Sequence, residues 1–388
     1  VNAPSCGWGG ATPLPGMPGA PLIAQMTAPD TVLTWRGSAT HANAHDRVSR
    51  RVVARHVAAL LDLPYGGEAA ADGANAYLVP LDTLTAEEAA TLGVDGEDRL
   101  LGGVVPHRFI ATKAITHPLI APDAAAPEAW AHDLGDVLAP VVPIGFTAFS
   151  AADALRAGET LLAVGPLRLK AVAATAGLGQ TVVEDRAALE AALALESPEA
   201  IARGGIVLEE NLADVVTYSV GTARIGAHAI AYWGTQRLTR SNAGETVYGG
   251  SDLEVVRGGW EELAALPLAA EVAQAVRQAI AYDRAVFAAY PGLCASRRNY
   301  DVIAGDAADG SRRIGVLEQS WRVGGATGAE LAAIEAFARD PKLAHVRSST
   351  MEIYGRTGAA PVGATVYFDG VDPAAGPLTK YAEVGREA

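Results

Sequence analysis

The sequence predicts an α/β protein made of α+β lobes with more than one hydrophobic core. Three observations carry this. Apolar residues alternate at period two in some segments and recur at helical spacing in others, and the two patterns interleave along the chain. The length, 388 residues, exceeds what one small core accommodates. Hydrophobic residues make up 50% and aromatics only 6%, so the cores are expected to be aliphatic and small-residue rich.

Residues 1–29 are rich in Gly, Pro and Ala and lack the basic start and solid apolar run of a secretion signal. They read as a disordered tail. Residues 30–120 read as an N-terminal α/β domain. TVLTW at 31–35 alternates between Pro29 and Gly37 as a strand does, and 46–61 repeats apolar residues at helical spacing. AYLVP at 76–80 is a second strand, and 85–92 a short helix opened by a Thr85-x-x-Glu88 capping box.

An Ala-, Pro- and Asp-rich linker over 121–140 leads into a small lobe reaching residue 220. That lobe is expected to hold a helix at 151–157, strands at 167–172 and 181–184 around a glycine turn at 177–180, a helix at 186–195 and a buried strand at 206–209. The C-terminal lobe, 221–345, begins within an antiparallel meander of 215–221, 223–226 and 229–235. A polar loop at 236–251, a long helix at 271–289, a hairpin of 300–304 with 314–319 and a helix at 328–339 complete it. The extension 346–388 reads as carrying only short strands, such as 364–368.

Charge and cysteine content exclude several classes. With 30 Lys plus Arg against 44 Asp plus Glu, the net charge of −14 repels polyanions and argues against a nucleic-acid partner. No run of about 18 apolar residues exists to span a membrane. Cys6 and Cys294 stand in no paired-ligand spacing, which fits a reducing cytoplasm.

Three constellations could carry chemistry. In RLKAVAATAGLGQTVVED, 168–185, a strand ending at Lys170 enters a loop where Gly177 and Gly179 would let backbone N–H groups approach a phosphate, with Lys170 supplying charge. A glycine-rich hairpin with a surface lysine would satisfy the same residues. No Gly-Lys-Ser/Thr occurs, and a strand rather than a helix follows, so neither a P-loop nor a dinucleotide fingerprint is present. Secondly, Asp301 and Glu318 fall on the two strands of the hairpin, where paired carboxylates can share Mg²⁺; Ser320 and Arg322 continue the Glu318 face at period two. A solvated hairpin is the plainer alternative. Thirdly, IVLEENL at 206–212 runs a buried strand into Glu209, Glu210 and Asn211, which could meet an adenine and ribose or merely leave the core.

Weaker clusters remain. Arg237, Arg240 and Asn242, with Arg297, Arg298 and Asn299, could bind a carboxylate-bearing substrate through bidentate contacts, although Arg240 reads as solvated charge. His41 and His45 have zinc-like spacing but no third ligand nearby, which favours a structural or capping role. His107 and His117 flank Lys113 and read as junction packing.

The order of these parts resembles the ATP-grasp superfamily over about 110–339. It looks nearest to a little-characterised bacterial branch, through FIATKAITHPL, EENL with TYSVG, YGGSDL, SRRNYD and LEQSWR. The resemblance implies an N-terminal α/β domain before two lobes that clasp ATP and Mg²⁺ (or Mn²⁺). Residue by residue, it implies that Lys113 and Lys170 contact the phosphates and that Gly177, Gly179 and Gln180 lie in the loop folding over the triphosphate. Glu209, Glu210, Asn211 and Leu212 match the hinge at adenine, Asp301 and Glu318 the metal carboxylates, and Arg322 the arginine steadying the transferred phosphoryl group. Ser320 stands where the family usually has Asn. Val216 and Thr217 occupy the place of the ribose acid, for which Asp214 or Glu210 would substitute. The implied activity is ATP-dependent ligation of a small carboxylate to an amine or peptide, through an acyl phosphate. A nucleotide-binding sensor without turnover, or a phosphotransferase, would use the same residues. Oligomeric state stays open, a homodimer included.

Overall fold

The computed structural model describes residues 28–37, 43–69, 75–172 and 179–385. Most of the expected N-terminal tail, as well as His41 and Gly177, lies outside them. Among the described residues no helix is long and apolar enough to cross a membrane.

The chain opens with a parallel sheet of β1 (Thr31–Trp35), β2 (Tyr65–Glu68) and β3 (Ala76–Pro80), in the order β2-β1-β3. Helix α1 (Ala44–Leu61) returns from β1 to β2, and its Val53, Ala54, Val57 and Ala58 stripe recurs at helical spacing and is buried. A two-residue strand, β4 (Leu84–Thr85), precedes α2 (Ala86–Thr91), whose Thr85–Glu88 capping box forms as the sequence predicts. Strand β5 (Gly103–Val105) pairs with β4 and with a later strand at Cys294–Ala295.

After α3 (Leu134–Leu138) comes a second unit of β6 (Gly145–Ala148), α4 (Ala151–Leu162), β7 (Leu167–Ala171), β8 (Gln180–Val183), α5 (Arg186–Leu193), α6 (Pro198–Gly204) and β9 (Ile206–Glu210). Its antiparallel sheet runs β6-β9-β7-β8. Each of its three helices starts at a side-chain cap, Ser150, Asp185 or Ser197, accepting from the backbone N–H three residues on. The core between helices and sheet is aliphatic, with Leu167, Val183, Leu189 and Leu208 fully buried.

The rest is organised by one sheet of eight strands. In chain order these are β10 (Ala213–Ile225), β11 (His228–Arg240), β12 (Thr246–Arg257), then, after α7 (Trp260–Ala264), α8 (Ala270–Ala289) and β13 (Cys294–Ala295), β14 (Arg297–Asp306) and β15 (Arg312–Ser320). Helix α9 (Thr327–Arg339) leads to β16 (His345–Tyr354), β17 (Thr365–Asp372) and β18 (Gly376–Val384). The strand order is β15-β14-β10-β11-β12-β16-β18-β17. One core gathers α8 against Tyr218, Val220, Tyr300, Val302 and Val316, and another gathers α1 and α9 against Tyr232, Val255 and Val346.

Three expectations need correction. The polar loop at 236–251 is instead the paired halves of β11 and β12, with only residues 241–245 turning between them. Its polar residues stand in succession, Gln236 with Arg237 and Thr239 with Arg240, so no period-two pattern marks the strands in sequence. The expected break after residue 221 is also absent, because β10 continues through Ile225. Likewise β16, β17 and β18 are longer than the short strands expected and complete the main sheet.

Candidate functional site

The segment from Lys113 to His117 lies at the junction of the small and large sheets and touches both. A 3-10 turn, Lys113–Thr116, starts at Thr112, whose hydroxyl accepts from Ala114 N–H at 3.3 Å. Gln319 fixes the approach to this turn from below. Its amide donates to the carbonyls of Ile110 (2.9 Å) and Thr112 (2.7 Å), and it accepts from the Tyr282 hydroxyl at 2.8 Å. All of these groups are buried or nearly so, so the turn is held by satisfied hydrogen bonds rather than by apolar packing alone.

From one end of the turn, Lys113 reaches Glu318 of β15, with Nζ 2.9 Å from Oε2. Glu318 stands directly opposite Asp301 in the β14–β15 register. Cross-strand partners share a face, so the two carboxylates lie together, away from the α8 core that holds Tyr300 and Val302; a bulge follows at the Asp301/Val302 step. Asp301 Oδ1 accepts from Gln236 (2.8 Å) and Asn299 (3.0 Å), and Gln236 also donates to Ser219 at 3.0 Å. Burial, with the charge of Glu318 alongside, pushes the Asp301 carboxyl up to about 7, and hydrogen bonds and Lys113 only partly offset this.

The second cluster grows from the other end. His117 Nε2 lies 3.3 Å from Glu209 Oε2, and Glu209 Oε1 pairs with the Lys170 ammonium. Gly145 makes room for this: a Cβ there would lie 2.9 Å from the His117 ring and 2.7 Å from the Leu208 carbonyl. Burial alone would raise the Glu209 carboxyl, but the Lys170 charge and the His117 contact prevail and hold it down at about 2. Lys170 and Glu209 are 4% and 3% exposed, so this ion pair is fully internal.

The structure thus brings together Lys113, Asp301, Glu318 and Asn299 on one side of the turn and Lys170 with Glu209 on the other. Ser320 lies opposite Asn299 in the same register. Gln180 pairs with Lys170 in the β7–β8 register, and Gly179 precedes it with φ 65°, a value that favours glycine. The hinge residues are occupied structurally. Glu210 accepts from Ile144 N–H (2.9 Å), Asn211 accepts from Arg168 (2.8 Å), and Leu212 is buried. Asp214 has a left-handed backbone, φ 46°, and is exposed at the irregular start of β10.

The three arginines expected at a substrate carboxylate, Arg237, Arg297 and Arg298, do not converge, and Arg322, expected at the phosphoryl group, stands apart from them. Consecutive residues of a strand face opposite ways, so Arg297 and Arg298 point apart. Arg297, 1% exposed, makes a two-point pair with Glu330 of α9 at 2.8 and 2.7 Å, whereas Arg298 pairs with Asp283 of α8 and lies over the Phe287 ring. Arg237 holds Asp252 and the Thr350 carbonyl across β12. Arg322 lies just past β15, its Nε 4.0 Å from Asp82. The expectation that Arg237, Arg297 and Arg298 together bind a substrate carboxylate therefore fails: each has a protein partner, in a different layer.

Sequence reasoning missed Gln236, Gln319, Tyr232 and the role of His117. The Tyr232 hydroxyl contacts both Asn299 (2.9 Å) and Glu330 (2.7 Å), which links the Arg297–Glu330 pair to Asp301 through Asn299. Gln319 could have been found, since a glutamine between the apolar Val316 and Trp321 in a buried strand needs partners. No local signal marks Gln236.

A family model described as "Protein of unknown function (DUF3182)" matches residues 33–382. No curated protein matches the sequence. Among solved structures, N5-carboxyaminoimidazole synthetase from Staphylococcus aureus, complexed with ADP, aligns with TM-score 0.54 and 10% identity over 93% of this chain and 95% of that one. Phosphoribosylamine–glycine ligase from Thermotoga maritima aligns with TM-score 0.50 and 13% identity over 92% of each chain. Both are ATP-grasp proteins, and the likeness, which spans nearly the whole chain, is one of fold.

Proposed function

The chain belongs to the DUF3182 family and has the ATP-grasp fold, and on that premise we propose that it is an ATP-dependent ligase. It activates a small carboxylate as an acyl phosphate and joins it to an amine, releasing ADP and phosphate. The observation that carries this reading is the convergence of two lysines and two carboxylates on the ends of one short turn, between the two sheets.

Asp301 and Glu318 offer hard oxygen donors side by side, and burial, then the neighbouring Glu318 charge, raises the Asp301 carboxyl, a cost that a divalent cation between them would relieve. Among the described residues no third acidic, His or Cys ligand joins them. That donor set suits Mg²⁺ (or Mn²⁺), which commonly takes one or two carboxylates and completes its shell with phosphate oxygens and water. When bound, the ion would neutralise charge on the phosphates.

The remaining work belongs to the chain. Lys113 and Lys170 would stabilise the phosphate oxygens, with Gly179 and Gln180 beside Lys170. Backbone groups of Glu209 to Leu212 would meet the adenine, since the Glu209 side chain is committed to Lys170 and His117. Arg322, one third exposed beyond the metal strand, would steady the acyl phosphate. Asn299 and Gln236 hold Asp301 in place. No side chain is needed as a covalent nucleophile; positioning and charge neutralisation supply the rate. Ser320 would be a weaker metal ligand than asparagine, which keeps a nucleotide sensor as the second reading.

An ADP-release screen over pooled small acids and amines with Mg²⁺ tests the proposal. Release that requires both an acid and an amine is the expected outcome. Release needing only the acid would point to a phosphotransferase, and tight ATP binding with no release from any pool to the sensor.

A further inference from the structure

The carboxyl ends of β1 and β3 border a cavity unlike the rest of this acidic chain. Arg36, Arg47, Arg50 and Arg51 line it together with Trp35, and Glu68 is the single acid in the lining. Arg47, Arg50 and Arg51 come from the first two turns of α1, and Arg36 directly follows β1. In open parallel α/β sheets this edge is where ligands bind, because helices and strands diverge there and leave a crevice.

Arg50 is the informative member. It is 8% exposed, yet its Nε has no hydrogen-bond partner among the described residues, and no ion pair is made by its guanidinium among them. The indole Nε1 of Trp35, in the same lining, is likewise buried without a partner. The carboxylates whose charge reaches Arg50 are engaged elsewhere: Asp46 with Lys380 (3.4 Å), and Asp82 with Arg108 (3.9 Å) and Arg322 (4.0 Å). Burial, and then the nearby Arg322, lower the Arg50 guanidinium to about 10. A buried cation with idle donors facing a cavity is costly unless a ligand pairs with it.

We propose that this cavity binds an anionic group, carboxylate or phosphate, on the acid that the enzyme activates. The identity of the ligand rests on the ligase reading; the anion site does not. Arg322 connects the two places, since it follows the Asp301–Glu318 hairpin and its Nε lies 4.0 Å from Asp82, the neighbour of Leu81 in the cavity lining. The substrate therefore carries two anionic ends. One is anchored by guanidinium forks, whose planar donors match either oxyanion, and the other, a carboxylate, lies toward Arg322 for phosphorylation.

The test titrates the full chain with inorganic phosphate and with succinate, and separately with Mg-ATP. The expected result is saturable binding of at least one anion that weakens about tenfold or more in Arg50→Gln, roughly the loss of one charged hydrogen bond, with Mg-ATP affinity unchanged. Arg51→Gln, at an exposed position, serves if Arg50→Gln folds poorly and should weaken the same binding. Preference for phosphate over succinate, and the matching preference for phosphorylated over dicarboxylic acids in ADP release, identifies the source of the anion. No anion binding in the wild type, binding unchanged in both arginine variants, or binding lost in Lys170→Ala but kept in Arg50→Gln would overturn the proposal. Anion binding that depends on Arg50 while Mg-ATP fails to bind would keep the site and remove the ligase reading.

Discussion

Glu209 holds Lys170 and contacts His117 where neither carboxylate nor ammonium meets water. Replacing one partner leaves the other charged and buried, so Glu209→Gln is expected to cost about 3–5 kcal/mol in urea unfolding. The same depressed carboxyl sets a pH window. Its stabilisation is complete above the ordinary glutamate range and is lost as pH falls toward about 2, because the unfolded chain then binds a proton that the folded chain refuses. Asp301 works in the opposite sense. Its carboxyl, pushed up to about 7, keeps a proton that a cation has to displace, so Mg-ATP affinity should rise as pH rises to about 7 and level off above it. Calorimetry across pH checks this, and an affinity flat from acid to neutral pH would contradict it. At this scale the sequence was informative about residue types. Lys113, Asp301 and Glu318 were visible as a set through chain order, whereas Gln236 and Tyr232 were not, because their partners come from strands 65 and 67 residues away.

Strands and helices show why the arginine expectations failed. Alternation along β14 sends Arg297 and Asn299 to one face and Arg298 and Tyr300 to the other, where Asp283 of α8 receives both. Arg297 is accordingly a brace between β14 and α9. We expect Arg297→Met to destabilise the fold by about 3–5 kcal/mol, since Glu330 is left buried without its cation. Tyr232→Phe removes the hydroxyl shared by Glu330 and Asn299 and should cost about 1–3 kcal/mol. A substrate-binding role for Arg297 would predict instead a raised KM at unchanged stability, which thermal unfolding beside kinetics separates. Regular patterns were legible at this scale: β1 and β3 fall on the residues the alternation marks, and the Thr85 capping box forms as read. The β11–β12 hairpin was not legible, because Gln236 to Arg240 and Thr246 to Gly250 pair with each other beyond the registers of β10 and β16, and their polar residues follow in succession rather than at period two.

Across the whole molecule, eight strands from both sides of α9 form one sheet; the Lys113 to His117 turn ties the small sheet to it, and α1, packed with α9, sets the N-terminal unit against it. The ATP-grasp architecture was readable from the order of motifs, since that order follows the path of the chain between lysine, loop, hinge and carboxylate hairpin. The arginine-lined cavity was not, because it is assembled from the end of β1 and the start of α1, a stretch without a sequence signature of its own. The central claim is that Lys113, Lys170, Asp301 and Glu318 form a nucleotide and metal site. Calorimetric titration of Mg-ATP into the wild type and Asp301→Asn tests it most directly, because the replacement is isosteric. The account predicts saturable binding at one site that weakens about tenfold or more in the variant. No binding to the wild type, or equal affinity in the variant, would contradict it.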